Sequence, residues 1–332
     1  MYTNLLSGDQ KQFFDENGYL ILEGFFPAAQ IAQARARLDD FWANRGPSCP
    51  LVIDRLDDGE RTYFREVANA TRQIPYKLND VHLEDEVFRD LAADARLTAV
   101  VAELLLHTPL VINTLLFERS SQQPAHFDTF FMPSRTPNKM CASWIAIDPV
   151  TETNGPLFYY PKSHLIEPFR FSSGDVAAID VEMAAAGAHI ERIIGEYGLE
   201  EMRFFPRPGD VLIWHAQLLH GGATIIDNQA TRTSLVTHYW TVLDHPDPAE
   251  WIVVGDGRYL LRKSHPAAIG KSERAAVDQF VRGLATPPEH LVDVPAGFDP
   301  RGYLLHNMDV FRAGVDPYSH YHHFGPKERR SW

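Results

Sequence analysis

The chain is poor in cysteine and in positive charge, and it lacks any long apolar run. Its two cysteines, Cys49 and Cys141, exclude a disulfide framework and any cysteine-rich zinc or iron–sulfur module. Lys and Arg total 31 against 44 Asp and Glu, a net charge of −13. That balance argues against nucleic acid or an anionic membrane surface as a partner. No stretch approaches the ~18 consecutive apolar residues of a membrane-spanning helix. The opening MYTNLLSGDQKQFF has neither a basic leader nor an apolar segment, and Arg330-Ser331-Trp332 is no peroxisomal address. The expectation is a soluble, cytoplasmic protein. What is present is the ordinary balance of a globular enzyme, 45% hydrophobic and 23% charged over 332 residues.

The organisation read from the pattern is one domain over 1–332: a mainly helical part (1–109), a β-rich core (110–245) and an extension (246–332) packed on that core. DQKQFFDENGY predicts a helix ending near Asn17-Gly18, and YLILEGFF a buried strand. Pro27 opens a second helix, with Ile31, Ala34, Leu38 and Phe41 at helical spacing. A long helix is expected from Glu86 to Leu106, with Phe88, Leu91, Leu97, Val100 and Leu104 on its apolar face. From Leu110 the pattern turns to short β-branched or aromatic runs: VINTLLFE, CASWIAID, GPLFYYP, DVLIWHA and TSLVTHYWTV. Without crossover helices between them, such runs favour an antiparallel sandwich or barrel. One helical insertion is expected from Val176 to Glu196.

His126-Phe127-Asp128 carries the first chemical signal. On a strand, residues two apart project to one face, so an imidazole and a carboxylate can reach one point. Two histidines and one carboxylate on one face, with other positions open, are what non-haem Fe(II) oxygenases use. Alone the triplet means little, since 15 histidines make about one His-x-Asp expected by chance. A second, His245-Pro246-Asp247, reads as a turn. The first is distinguished by its downstream context: the run VLIWHAQLL, then His220-Gly221-Gly222, then Arg232 opening a further β-like run. A hairpin of that length returns Arg232 toward the metal on a neighbouring strand. Its planar fork suits the distal carboxylate of a 2-oxo diacid. His290, His306 and His320 lack such a context.

The motifs FFDENGYLILEGFF, KLNDVHLEDEVFRDLA, HFD, ETNGPLFYYPKSH, GDVLIWHAQLLHGG and TRTSLVTHYW, in this order over roughly residues 10 to 245, resemble the phytanoyl-CoA dioxygenase family of Fe(II)/2-oxoglutarate-dependent oxygenases. The resemblance implies a mainly β fold with flanking helices around a double-stranded β-helix (jelly-roll) core. It implies iron held by His126, Asp128 and His220, and 2-oxoglutarate held by Arg232, with Lys77 adding to that contact and Trp144 lining the pocket. The implied reaction hydroxylates a C–H bond of a small molecule, consuming dioxygen and releasing succinate and CO2. Related halogenases replace the carboxylate with a small residue, and Asp128 occupies that place here. Two positions depart from the family: Lys162 stands where a glycine usually precedes Ser-His, and Gly222 where a small hydroxyl residue is common.

Other features read more plainly. His215 shares the predicted strand with His220 and, by alternation, faces the other way. The SHYHHF tail (His320, His322, His323) reads as packing. Phe127, Phe130 and Phe131 suit core or pocket wall. Arg203, Arg207, Lys162 and Arg170 read as scattered surface charge rather than an acyl-CoA phosphate site. Pocket lining is expected from the N-terminal third, the loop TFFMPSRTPNK, the helical insertion and the C-terminal extension. The rival readings are a cupin-like Zn or Mn isomerase or hydrolase, and a non-catalytic jelly-roll binding protein. Arg232 separates the oxygenase from the cupin, since only the oxygenase needs a fixed cation for a diacid.

Overall fold

The computed structural model describes residues 5–260, 268–284, 294–295 and 298–328; His290 and the segment 329–332 lie outside them. Thirteen strands are present among these residues: β1 (Tyr19–Leu22), β2 (Val52–Arg55), β3 (Arg61–Tyr63), β4 (Tyr76–Asn79), β5 (Pro109–Phe117), β6 (Cys141–Ala146), β7 (Leu157–Tyr159), β8 (Met202–Phe204), β9 (Val211–His215), β10 (His220–Gly222), β11 (Ser234–Thr241), β12 (Trp251–Val254) and β13 (Gly257–Leu260). The major sheet runs β1-β9-β6-β11-β5-β4-β2-β3, with β13 joined to the end of β5 and β12 paired to β13. The minor sheet is β10-β7-β8. This is the jelly-roll core with flanking helices.

Alternation divides the major sheet cleanly. Leu116, Ile145, Ile213, Leu235 and Tyr239 point outward into a core built with the helices. On the helix Ala28–Asn44, the buried stripe is Ile31, Ala34, Leu38 and Trp42. The opposite residues, Trp144, Leu212, Trp214 and Val236, face the minor sheet's Leu157, Tyr159 and Phe204. Stripe and pleat thus bury one face each, and the inner face is left to line a cleft between the sheets.

Several expectations are corrected. The helix Glu86–Leu106 is two helices, Glu86–Ala92 and Ala95–Leu105. Asp94 caps the second by accepting from the backbone of Arg96 and Leu97, which breaks the chain direction between them. The insertion becomes α-helical at Met183, after a short 3-10 turn, rather than at Val176. The first strand stops at Leu22, short of the whole YLILEGFF run. The N-terminal third also contributes three strands, β2 to β4, beyond the helices expected there. Among the described residues no helix is long and apolar enough to cross a membrane.

Candidate metal and co-substrate site

The inner face of the major sheet is organised in rows set by strand register. Asn113 on β5 stands opposite His238 on β11, which stands opposite Ala142 on β6, and that opposite Trp214 on β9. The next row on the same face is Asn79, Leu115, Val236 and Trp144. The third runs Arg61, Asp54, Lys77, Phe117 and Ser234. These rows form the floor of a cavity of about 460 Å³. His126, Asp128, His220, Arg232, Lys77 and Trp144 all line it.

His126 does not lie on a regular strand. It forms an isolated antiparallel bridge with His220, and Asp128 opens a 3-10 turn, Asp128–Phe130. The bridge is backbone-paired in both directions, His126 N–H to His220 carbonyl and the reverse, at 3.0 and 3.2 Å. It fixes the two rings 4.4 Å apart. The turn then brings the Asp128 carboxylate to 3.5 Å from His220 Nε2 and 3.8 Å from His126 Nε2. The ligand atoms of the three residues lie within 4.8 Å of one another, and this is the group of its kind found among the described residues.

The hydrogen-bond pattern selects the metal-binding tautomer. His126 Nδ1 contacts the Pro124 carbonyl at 2.8 Å and His220 Nδ1 the Leu218 carbonyl at 3.0 Å. A carbonyl only accepts, so each Nδ1 carries the proton and each Nε2 presents its lone pair to the shared point. Burial, followed by the neighbouring His220, lowers His126 to about 3, so the ring is neutral near pH 7. Burial opposes ionisation of Asp128, but His220 and His238 outweigh it and hold the carboxyl below its usual range. Two imidazoles and one carboxylate, each anchored on its far side, fit a divalent first-row metal with open positions.

Arg232 is buried, and burial lowers its guanidinium to about 10, still charged at neutral pH. Its Nε has no hydrogen-bond partner, and among the described residues it forms no ion pair. Its Cζ lies 5.3 Å from the centre of the Trp144 ring. A buried cation without a counter-anion is costly, and a bound carboxylate relieves that cost. The expected hairpin from His220 to Arg232 is not observed. β10 belongs to the minor sheet and β11 to the major one, so the arginine reaches the cavity from the opposite wall. Lys77 lines the same cavity but already meets Asp54, Nζ to Oδ2 at 3.5 Å.

The fold also brings to the site two residues that the motifs leave aside. Trp214 donates its Nε1–H to Asp128 Oδ2 at 2.8 Å, and His238 Nε2 approaches the same oxygen at 3.7 Å. Strand alternation signals both, since each shares its strand's inner face with an apolar neighbour, Leu212 or Val236. His215 and His220 are on separate strands of different sheets, not one strand, and His215 instead faces His164 at a ring separation of 5.4 Å. His245 pairs with Glu250 and Asp247 caps a turn. In the tail, His320 bonds the Tyr303 hydroxyl and His323 the Ser319 carbonyl. Arg203 and Arg170 pair with Glu201 and Glu167 on the surface, away from the cavity. The loop after Asp128 contributes Phe131 and Met132 to the lining and the C-terminal segment Arg274, but no described residue of the helical insertion is among them. It packs instead behind Phe127 and Phe130.

Both departures from the family pattern have local reasons. Lys162 adopts φ of 69°, a left-handed conformation that favours glycine, which explains the usual residue there. A Cβ at Gly222 would sit 2.7 Å from Ser121 Oγ and 2.8 Å from Ser120 Oγ, so in this chain that space is already taken by hydroxyls.

Residues 14–234 match the family model for phytanoyl-CoA dioxygenase (PhyH). A probable phytanoyl-CoA dioxygenase of Caenorhabditis elegans is 23% identical over 250 residues, which cover 71% of this chain and 76% of that protein. Among solved structures, EctD from S. alaskensis with 2-oxoglutarate and 5-hydroxyectoine aligns with a TM-score of 0.54 at 19% identity, covering 81% of this chain and 89% of that one. The non-heme alpha ketoglutarate dependent carbocyclase SnoK from nogalamycin biosynthesis aligns at 0.55 and 15% identity, covering 72% and 85%. With two thirds of its length matched by the family model, the chain belongs to the phytanoyl-CoA dioxygenase family.

Proposed function

We propose that the protein is an Fe(II)/2-oxoglutarate-dependent oxygenase that hydroxylates a C–H bond of a small-molecule substrate. The observation that carries this reading is the pairing of two features in one cavity. One is a facial set of Nε2, Nε2 and Oδ1 from His126, His220 and Asp128, in the tautomers a metal requires. The other is the buried guanidinium of Arg232, without an ion-pair partner among the described residues. A cupin-like hydrolase has use for the first and none for the second.

When bound, ferrous iron with 2-oxoglutarate and dioxygen supplies the oxidising power, leaving succinate and CO2. The chain's own residues do the rest. His126, Asp128 and His220 hold the metal, while Trp214 fixes the carboxylate so that Oδ1 faces it. Arg232 orients the co-substrate through its distal carboxylate, and Trp144 flanks that cation. Lys77 adds a second positive charge to the wall, and Leu115, Val236 and Phe131 keep the reacting region apolar.

The test is 2-oxoglutarate decarboxylation with Fe(II) under air. His126→Ala and Asp128→Ala are expected to abolish succinate formation while the fold persists by circular dichroism. Turnover retained in either variant removes that residue from the metal site.

A further inference from the structure

The cavity is positively lined in a chain that is strongly acidic. Of the ionised side chains on its wall, among the described residues, Arg61, Lys77, Arg232 and Arg274 are cations and Asp128 is the one anion. The whole chain carries 31 basic against 44 acidic residues. The excess on the wall is therefore local and built. Within the proposed function the inner end is already balanced. Ferrous iron, the Asp128 carboxylate, a doubly charged 2-oxoglutarate and the Arg232 guanidinium have formal charges that cancel. Positive charge remains at the outer end.

That outer end is assembled from two separate parts of the chain. On the sheet, register places Arg61 and Lys77 on either side of Asp54 in one row. Asp54 accepts from Arg61 Nε at 2.5 Å and Nη2 at 2.8 Å, and meets Lys77 at 3.5 Å. Two cations share this carboxylate, which itself does not line the cavity. The pairing with Asp54 takes Nε and Nη2 of Arg61 and leaves Nη1 outside it. Arg274 comes from the helix Lys271–Arg282, whose start is tied to the hairpin by Glu60. That side chain accepts from Ser272 N at 3.1 Å and from Ser272 Oγ at 2.6 Å. Leu115 stands in the row between that of Arg61 and Lys77 and that of His238, and apolar Phe131 and Met132 line the same cavity.

We infer that the substrate carries a compact anionic group, a carboxylate or phosphate, which seats against Arg61 and Arg274 while an apolar portion reaches inward to the metal centre. The inference rests on the oxygenase reading and assigns its substrate class. A guanidinium pair at the mouth gives bidentate, directional recognition of such a group. The apolar stretch between gives the distance from anchor to reacting carbon.

Equilibrium binding tests this without turnover. The intact protein, loaded anaerobically with Fe(II) and 2-oxoglutarate, is titrated by calorimetry with octanoate, octyl phosphate, octanol and octylammonium. At least one of the two anions is expected to bind about tenfold or more tightly than octanol, with octylammonium weakest. The stronger anion distinguishes carboxylate from phosphate. Arg61→Gln and Arg274→Gln are each expected to weaken that anion about tenfold, with octanol unchanged. Arg274 is exposed on its helix, and circular dichroism with 2-oxoglutarate loading verifies the fold of Arg274→Gln independently of Arg61→Gln. Equal affinity for octanol, preference for the amine, failure of both anions to bind, or anion affinity unchanged in Arg274→Gln would each overturn the proposal. Loading is verified in the same samples, so failure of the anion preference is distinct from failure of the metal site.

Discussion

Trp214 donates its indole Nε1–H to Asp128 Oδ2 at 2.8 Å from the inner face of β9. With that oxygen held, only Oδ1 is left to face His126 and His220, so the tryptophan sets how the carboxylate presents itself. Outer partners of this kind commonly govern metal affinity by about 10- to 100-fold. Trp214→Phe keeps much of the ring volume and removes the donor. Divalent-metal affinity is expected to fall at least about tenfold, with stability lowered by about 1–3 kcal/mol for the lost buried hydrogen bond. An equilibrium metal titration with a chelator competitor reads the first effect. Unchanged affinity would show that the carboxylate needs no such support.

Asp148 plays the corresponding part for Arg232. Its Oδ2 accepts from Thr231 Oγ1 at 2.6 Å, Thr233 N at 3.0 Å and Thr233 Oγ1 at 2.6 Å, which grips the chain on both sides of the arginine. Arg119 and Asn154 donate to the carbonyls of Ala230 and Thr231 just before it. Asp148→Ala releases that grip without touching the cavity. The KM for 2-oxoglutarate is expected to rise about five- to tenfold with kcat much less affected, and Asp148→Asn, which keeps one acceptor oxygen, to fall between. Steady-state succinate kinetics decide it. A fall in kcat at unchanged KM would place the effect of Asp148 elsewhere.

The main strands are legible in the sequence because each depends on short-range pattern. The candidate ligand set and its arginine rest instead on the order of the family motifs, since the strand expected at His126 is an isolated bridge and a 3-10 turn and the hairpin to Arg232 is not observed. Alternation in SWIA, VLIWH and LVTHYW marks an inner and an outer face, and the inner face is the cavity. The strands β2 to β4 are less legible. Their inner residues, Arg61, Asp54 and Lys77, line or support a polar cavity mouth, and although Tyr76 and Leu78 alternate with Lys77 and Asn79, strands of three or four residues are too short for the period to stand out. VLIWHAQLL reads as one strand because no glycine or proline marks the turn at Ala216–Leu218. The hydrogen bond from Leu218 N–H to the His215 carbonyl, which reverses the chain there, leaves no signature in composition. The helix break after Ala92 has a readable signal, Asp94 as a cap, but the apolar period of Leu91 and Leu97 runs on through it. Arg274 reaches the cavity from a helix held by tertiary contacts such as that of Glu60 with Ser272, which no local pattern encodes.

His215 gives the fold a measurable acid sensitivity separate from the metal site. Burial, then the neighbouring His164, lowers its imidazole to about 4 from an ordinary value of 6.5. The neutral ring is the one that fits, since Nδ1 accepts the Gln217 N–H at 3.1 Å. Above pH 6.5 folded and unfolded chains both leave it neutral, and its contribution to stability is complete. As pH falls from 6.5 toward 4 the unfolded chain takes up the proton first, so stability is lost across that window and the loss levels off below it. The full separation corresponds to about 3 kcal/mol, an upper bound for a ring that keeps some solvent contact. His215→Asn retains an acceptor for Gln217 and cannot be protonated. The variant is expected to lose about 2 kcal/mol less than the parent between pH 6.5 and 4. Urea unfolding of both metal-free proteins across that range supplies the difference directly. Parallel pH profiles would mean that the folded chain accepts a proton on His215 as readily as the unfolded one does.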